Sequence, residues 1–301
     1  MRGRRGLLGC VVGLVLLAVG LVGCGRTGHD ARGGRVEVVA AENFYGDLAA
    51  DVGGERTAVT SIVSSPDADP HLFEPGGRSG LLVATARVVI RNGVGYDDWM
   101  TRLLAAAPAP DRQLVTVAAV LHVRGADPNP HLWYDVPALP GVVTAIGAAL
   151  AAADPAHRGD YRAGVTRTIA GLRPLANAVS QLKAQHSGAP VAYTERVPGL
   201  LLAAAGLRVR TPPSFARAVE DGTDPTPADV TTMTRLLTEH QVKVLLYNEQ
   251  ASSGVRRPSR HDGGDRRVRC CAVVDPGLPP TCRTSVTRRP QAASINRHRT
   301  S

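Results

Sequence analysis

The apolar positions of this chain alternate between two spacings. VEVVAAEN (36–43) reads as a strand and FYGDLAADVGG (44–54) as a helix closed by glycine. TAVTSIV (57–63) is a second strand, SGLLVATA (79–86) a helix, ARVVIRNG (86–93) a third strand and YDDWMTRLLAAA (96–107) a further helix. Strands alternating with helices predict an α/β fold whose sheets are mostly parallel and carry helices on their faces. Ligands in such sheets bind beyond the carboxyl ends of the strands.

From 157 to 186 the period becomes purely helical. Tyr161, Val165, Ile169, Leu172, Leu175, Val179 and Leu182 are spaced by 4, 4, 3, 3, 4 and 3 residues, which predicts one apolar stripe on a single long helix. Pro174 inside it predicts a kink or a local break. The alternation then resumes with PVAYTE as a strand, LLLAAAG and ADVTTMTRLLTEHQ as helices, and VKVLLYNE as a strand. Two α/β lobes joined by one long helix is the economical reading, with an N-terminal lobe over 36–156, a linking helix over 157–187 and a partial C-terminal lobe over 188–250.

The pattern stops at about residue 251. The last 51 residues are rich in Arg, Ser and Pro and predict a basic, disordered tail over 251–301, although VKVLLYNE should lead into another helix and strand. The chain has 33 Arg against two Lys, as a GC-rich gene would give, and such a gene read out of frame yields text of this kind. A frameshift near residue 250 and a genuine disordered tail both stay open.

Charge sharpens this division. The net charge of +9 would point to a nucleic-acid partner if it were spread evenly, but residues 1–23 carry +3 and residues 251–301 carry +8, leaving about −2 for the body. Nucleic acid is therefore not an expected partner. Cysteine is absent from 25 to 269, so the body has no thiolate metal site, and any metal it takes must use His, carboxylate or water. The start, MRGRRGLLGCVVGLVLLAVGLVGC, has an Arg-rich opening, an apolar run and small residues before Cys24. It reads as a signal peptide over 1–23, with a flexible tether over 24–35.

Two Pro-His elements carry the candidate chemistry. ADPHLFEP holds His71 behind a proline and three residues before Glu74, and NPHLWYD holds His131 in the same way, followed by Asp135. Together they predict neutral imidazoles facing one cleft, the other ring nitrogen of each fixed by a carbonyl or carboxylate, with Glu74 and Asp135 as supporting groups. In AYTERVPG, Glu195 follows a strand and should emerge at its carboxyl end; the competing reading pairs it with Arg196 on the surface. Glu42 and Asn43, in AENFYGD, read as loop groups supporting the site. No HExxH pair and no GxSxG elbow occurs, so a hydrolase is not expected.

LVGC, AAENFYGDLA, the DPH element, NGVGYDDWM, NPHLWYD, the long helix and YTERVPG, in this order over roughly 36–250, resemble the metal-binding lipoproteins that feed zinc and manganese ABC importers. The resemblance implies two α/β lobes joined by a rigid helix, a cation between them, and His71, His131 and Glu195 as its ligands. It implies a fourth, acidic ligand near the C terminus, for which the tail offers no counterpart. Removal of the signal and lipidation of Cys24 are implied too, which would place the protein outside the cytoplasm on the membrane surface. The implied function is capture of Zn2+ or Mn2+ and delivery to an ABC permease by a monomer that makes and breaks no bond. Zinc is favoured by the Irving–Williams order, while a glutamate in place of a third histidine keeps manganese close behind. Affinity should fall as pH drops through about 6, where imidazole takes up a proton. A surface adhesion lipoprotein, and a degenerate metal-binding chain with impaired binding, remain alternatives.

Overall fold

The first sheet is built on valine-rich strands at its centre, whose side chains are buried on both faces. The computed structural model describes residues 34–65 and 73–248 together with the backbone of Cys271–Val274. The expected signal peptide, Cys24, most of the expected tether, His71 and the rest of the tail lie outside the described residues.

In the first sheet, β1 (Val36–Glu42), β2 (Thr57–Val63), β3 (Val88–Arg91) and β4 (Gln113–Thr116) are ordered β2-β1-β3-β4, with every neighbour parallel. Side chains of β1 alternate between two cores. Val36, Val38 and Ala40 join Tyr45, Val52, Ile146, Leu150 and Tyr161 on one face, while Val39 and Ala41 join Val83, Trp99 and Met100 on the other. The second face is covered by α2 (Gly77–Thr85) and α3 (Asp98–Ala106), and the first by α1 (Asn43–Gly53) and α5 (Leu139–Ala153). Between β4 and α5 lies the short α4 (Val117–Val120). Helix α1 stops where Gly54 turns to a φ of 52° and returns its N–H to the Ala50 carbonyl.

The long helix is α6, Arg158–His186, and it runs unbroken through Pro174. The expected local break is absent because Pro174 and Ala170, whose carbonyl loses its donor, are both exposed, so water can take that acceptor. The stripe is also shorter than its spacing predicts. Tyr161 is fully buried and Val165, Ile169 and Leu172 pack against the first core, but Leu175 and Leu182 are exposed. Gly164 sets the helix against α1: a Cβ there would lie 1.9 Å from the Val52 carbonyl oxygen. At its base, Asp154 accepts from the Tyr161 hydroxyl at 2.8 Å and pairs with His157 at 2.7 Å.

The second sheet follows the long helix. It comprises β5 (Pro190–Tyr193), β6 (Arg208–Val209), β7 (Val244–Tyr247) and β8 (Cys271–Val274), ordered β6-β5-β7-β8. Between these strands run α7 (Gly199–Ala204), α8 (Pro213–Glu220) and α9 (Pro227–Thr238). Neighbours β5–β6 and β5–β7 are parallel, whereas β8 is antiparallel to β7. The tail was expected to contribute no strand, and β8 corrects this: CAVV is too short to show a period, yet its backbone pairs with the open edge of β7. The fold is thus α/β, with two mostly parallel sheets, one on either side of the long helix in the chain.

Candidate metal site

Residues 127–131, DPNPH, form a tight loop in which Asn129 folds back on the histidine. The Asn129 Oδ1 accepts from the His131 backbone N–H at 3.0 Å and meets the ring Nδ1 at 2.8 Å, while its Nδ2 donates to the Arg196 carbonyl at 2.8 Å. A backbone N–H can only donate and a carbonyl can only accept, so the amide has one orientation. Its oxygen therefore faces Nδ1, which must carry the proton, and in the neutral ring the lone pair falls to Nε2. This is the tautomer a cation needs. Gly199 leaves room for the contact, since a Cβ there would come within 2.9 Å of the Asn129 Nδ2.

His131 is buried and ringed by aromatics. Its centroid lies 5.7 Å from that of Tyr96 and 5.3 Å from that of Trp133, both edge-on, and Trp133 stacks on Phe44 at 4.0 Å. Leu132 anchors the segment in the first core. Asp135, expected behind this ring, is turned toward the backbone of Ala138 at the start of α5, and burial raises its carboxyl above the ordinary range. The group that fixes His131 is the Asn129 amide, whose only sequence signal is its place inside the Pro-Asn-Pro-His run.

Glu195 emerges beyond β5, where the Thr194 N–H still donates to the Leu246 carbonyl of β7. It is buried, and its Oε2 accepts from the Asn248 Nδ2 at 3.1 Å. The surface pairing of Glu195 with Arg196 is not formed. Arg196 instead donates its backbone N–H and its Nε to the two oxygens of Glu220, each at 2.7 Å, and its guanidinium reaches Asp127 at 3.1 Å. Arg217 also pairs with Asp127. Burial alone would raise the Asp127 carboxyl, but Arg196 and Arg217 hold it below the usual carboxylate range. The backbone beside Glu195 is thereby tied to the loop bearing His131.

The carboxyl end of the first sheet adds a polar cluster that sequence reasoning mostly missed. The chain leaves β1 toward β2 on one side and β3 on the other, so the ends of β1 and β3 form the topological switch point. Glu42 is the last residue of β1 and Asn43 the first of α1, so neither sits in the expected loop. After β3, Gly93, Val94 and Gly95 all have positive φ, held by Asp97, whose oxygens accept from the Asn92 and Gly93 N–H groups at 2.7 and 2.8 Å. Asn92 in turn donates to the Gly93 and Pro130 carbonyls and accepts from the Tyr45 hydroxyl at 2.5 Å. Burial, and then the charge of Asp97, push the Glu42 carboxyl well above its ordinary range.

Of the expected site residues, the structure brings the loop of His131 and the backbone flanking Glu195 together. Glu74 is exposed just before α2, and His71 lies outside the described residues. Among the described residues no three His, Cys, Asp or Glu groups cluster closely enough to hold a metal.

Comparison with known proteins follows the same lines. The manganese-binding lipoprotein MntA of Halalkalibacterium halodurans is 31% identical over 127 residues, 41% of this chain and 42% of that protein. A putative metal-binding protein of Treponema pallidum is 30% identical over 160 residues, 47% of this chain and 50% of that protein. The chain thus spans about half the length of the curated relatives it matches. Among solved structures, AdcAII of Streptococcus pneumoniae superposes with a TM-score of 0.60 at 18% identity, over 74% of this chain and 83% of that one. FpvC of Pseudomonas aeruginosa in complex with Mn2+ gives 0.58 at 23%, over 70% and 78%. Residues 38–268 match the family described as the periplasmic zinc-uptake complex component A, and the chain belongs to that family.

Proposed function

We propose that the protein is the extracytoplasmic solute-binding component of a metal ABC importer, capturing Zn2+ or Mn2+ and passing it to a membrane permease. In this reading residues 1–23 are removed as a signal, Cys24 is lipidated, and residues 24–35 tether a monomer to the membrane. The lobes comprise 36–156 and 188–250, with 157–187 as the link. His71, His131 and Glu195 are the protein ligands, and the cation is cargo held by coordination, with no bond made or broken.

The observation that carries this reading is the single orientation of the Asn129 amide. Its oxygen accepts from Nδ1–H of His131, leaves the Nε2 lone pair for a cation, and its Nδ2 ties that ring to the residue following Glu195. Two imidazoles and a carboxylate form a borderline-to-hard donor set that suits Zn2+ and Mn2+. The names of the relatives, which include manganese-binding lipoproteins, support the same cargo.

Isothermal titration of the full chain with Zn2+ and with Mn2+ tests it. One site per chain is expected, lost in His131→Ala and in Glu195→Ala. Absence of binding by either metal at neutral pH overturns the reading.

A further inference from the structure

We propose that the two lobes are fastened by a releasable ionic clasp, in which Asp127 of the first lobe holds Arg196 and Arg217 of the second and sets how readily the lobes part. The inference goes beyond the cargo assigned above and depends on no metal ligand.

Asp127 accepts from the Arg196 guanidinium at 3.1 Å and pairs with Arg217, and two residues on the Asn129 Nδ2 donates to the Arg196 carbonyl at 2.8 Å. The same carbonyl accepts from the Gly199 N–H at 2.8 Å, so the clasp sits at the start of α7. Toward the other end of α7, Leu201, Ala204 and Ala205 pack with Val136 of the first lobe and Val179 of the long helix. Helix α7 therefore rests on an ionic contact at one end and an apolar contact at the other, about 9 Å apart for a helix of six residues.

The two contacts let go differently. Parting the apolar one exposes hydrocarbon to water, so it serves as the pivot. Parting the ionic one strands no charge. Arg196 keeps Glu220 at 2.7 Å and Arg217 keeps Asp221 at 3.0 Å, both partners lying within the second lobe. Asp127, whose side chain is 56% exposed, returns to water. Breaking an ion pair is costly where burial leaves the abandoned charge without a partner. Here each charge has an alternative on its own side, so the clasp contributes a small free energy and reverses freely. The ion pairs of Arg56 with Asp160 and of Asp154 with His157, by contrast, lie at the base of the long helix and do not cross between the lobes.

The test measures the separation of the lobes in the metal-free full chain, by pulsed dipolar electron resonance between spin labels on keto side chains introduced at the exposed Arg102 of α3 and Thr234 of α9. At low salt, Asp127→Asn is expected to raise the ratio of parted to closed molecules by about 2- to 5-fold, as loss of exposed ion pairs gives, and Arg217→Gln should give a smaller rise. Salt at about 0.5 M should part the lobes of the parent to the same degree, because an exposed pair is screened, while Asp127→Asn should no longer respond to it. A distance distribution unchanged by both substitutions, or by salt in the parent, overturns the clasp. If Asp127→Asn does not fold, Arg217→Gln and the salt series on the parent decide. No metal enters the measurement, so failure of the clasp leaves the metal-binding reading standing, and failure of that reading leaves the clasp standing.

Discussion

His131 donates from its backbone N–H and from its Nδ1 to one oxygen, that of the Asn129 side chain, at 3.0 and 2.8 Å. Asn129→Ala removes that acceptor together with the Nδ2 that holds the Arg196 carbonyl. Metal affinity is expected to fall by about 10- to 100-fold, as for other partners of ligating histidines. Titration calorimetry measures it, and an unchanged dissociation constant would show that the ring needs no such restraint.

Arg196 and Asp127 form an ion pair whose two members should differ sharply in importance. The Glu220 side chain is only 8% exposed and receives both the backbone and the Nε of Arg196. Arg196→Ala leaves that carboxylate with the backbone N–H alone and without its counter-charge, and a loss of about 3 kcal/mol is expected. Asp127 is 56% exposed, so Asp127→Asn should cost less than about 1 kcal/mol. Urea unfolding of the two variants checks the ranking, and equal losses would contradict it.

The base of the long helix should be acid-sensitive. Burial alone would raise the Asp154 carboxyl, but the Tyr161 hydroxyl and His157 lower it below its ordinary value. A carboxylate depressed by folding contributes stability above its unfolded pKa and loses it as pH falls through the folded one. Asp154→Asn should therefore destabilise the protein by about 1–3 kcal/mol at pH 7, and the difference from the parent should shrink as pH falls below the ordinary carboxylate range. Melting curves across this range decide it.

Gly164 makes a steric prediction. A methyl group there would overlap the Val52 carbonyl, so Gly164→Ala must push α6 away from α1. The expected cost is about 1–3 kcal/mol or more, although alanine is the better helix former. A variant more stable than the parent in chemical unfolding would refute this packing.

What was legible in the sequence was whatever had a period or a rigid neighbour. Strand β2 falls on TAVTSIV as read, and the long helix begins within one residue of its expected start. His131 and Glu195 stood out through a proline and a strand end. Helix α5 did not, because it is apolar all round: with buried residues at 139, 142, 143, 146, 147, 149, 150 and 153 it offers little polar contrast to read. By length and composition Val136–Ala153 would even suffice to cross a membrane, but here it is packed against α1, β4 and α6. Asn129 was equally hidden, since its role depends on a carbonyl 67 residues away. Glu42 reads as a loop group although the strand VEVVAAEN includes it, and it is the last residue of β1.

The uneven distribution of buried residues bears on how the molecule opens. Among the described residues the large apolar clusters belong to the first sheet and its helices, whereas those around the second sheet gather only Val136, Val179 and Ala205, or Ala192, Met233 and Leu236. Cooperative units with few buried contacts open at the lowest free energy. Amide hydrogen exchange should therefore be fastest in β5, β7 and α9 and slowest in β1, β3 and α5. The carboxylate of Glu195 belongs to the unit that opens first, so slowed exchange of that unit would report an occupied site more sensitively than any signal from the rigid half.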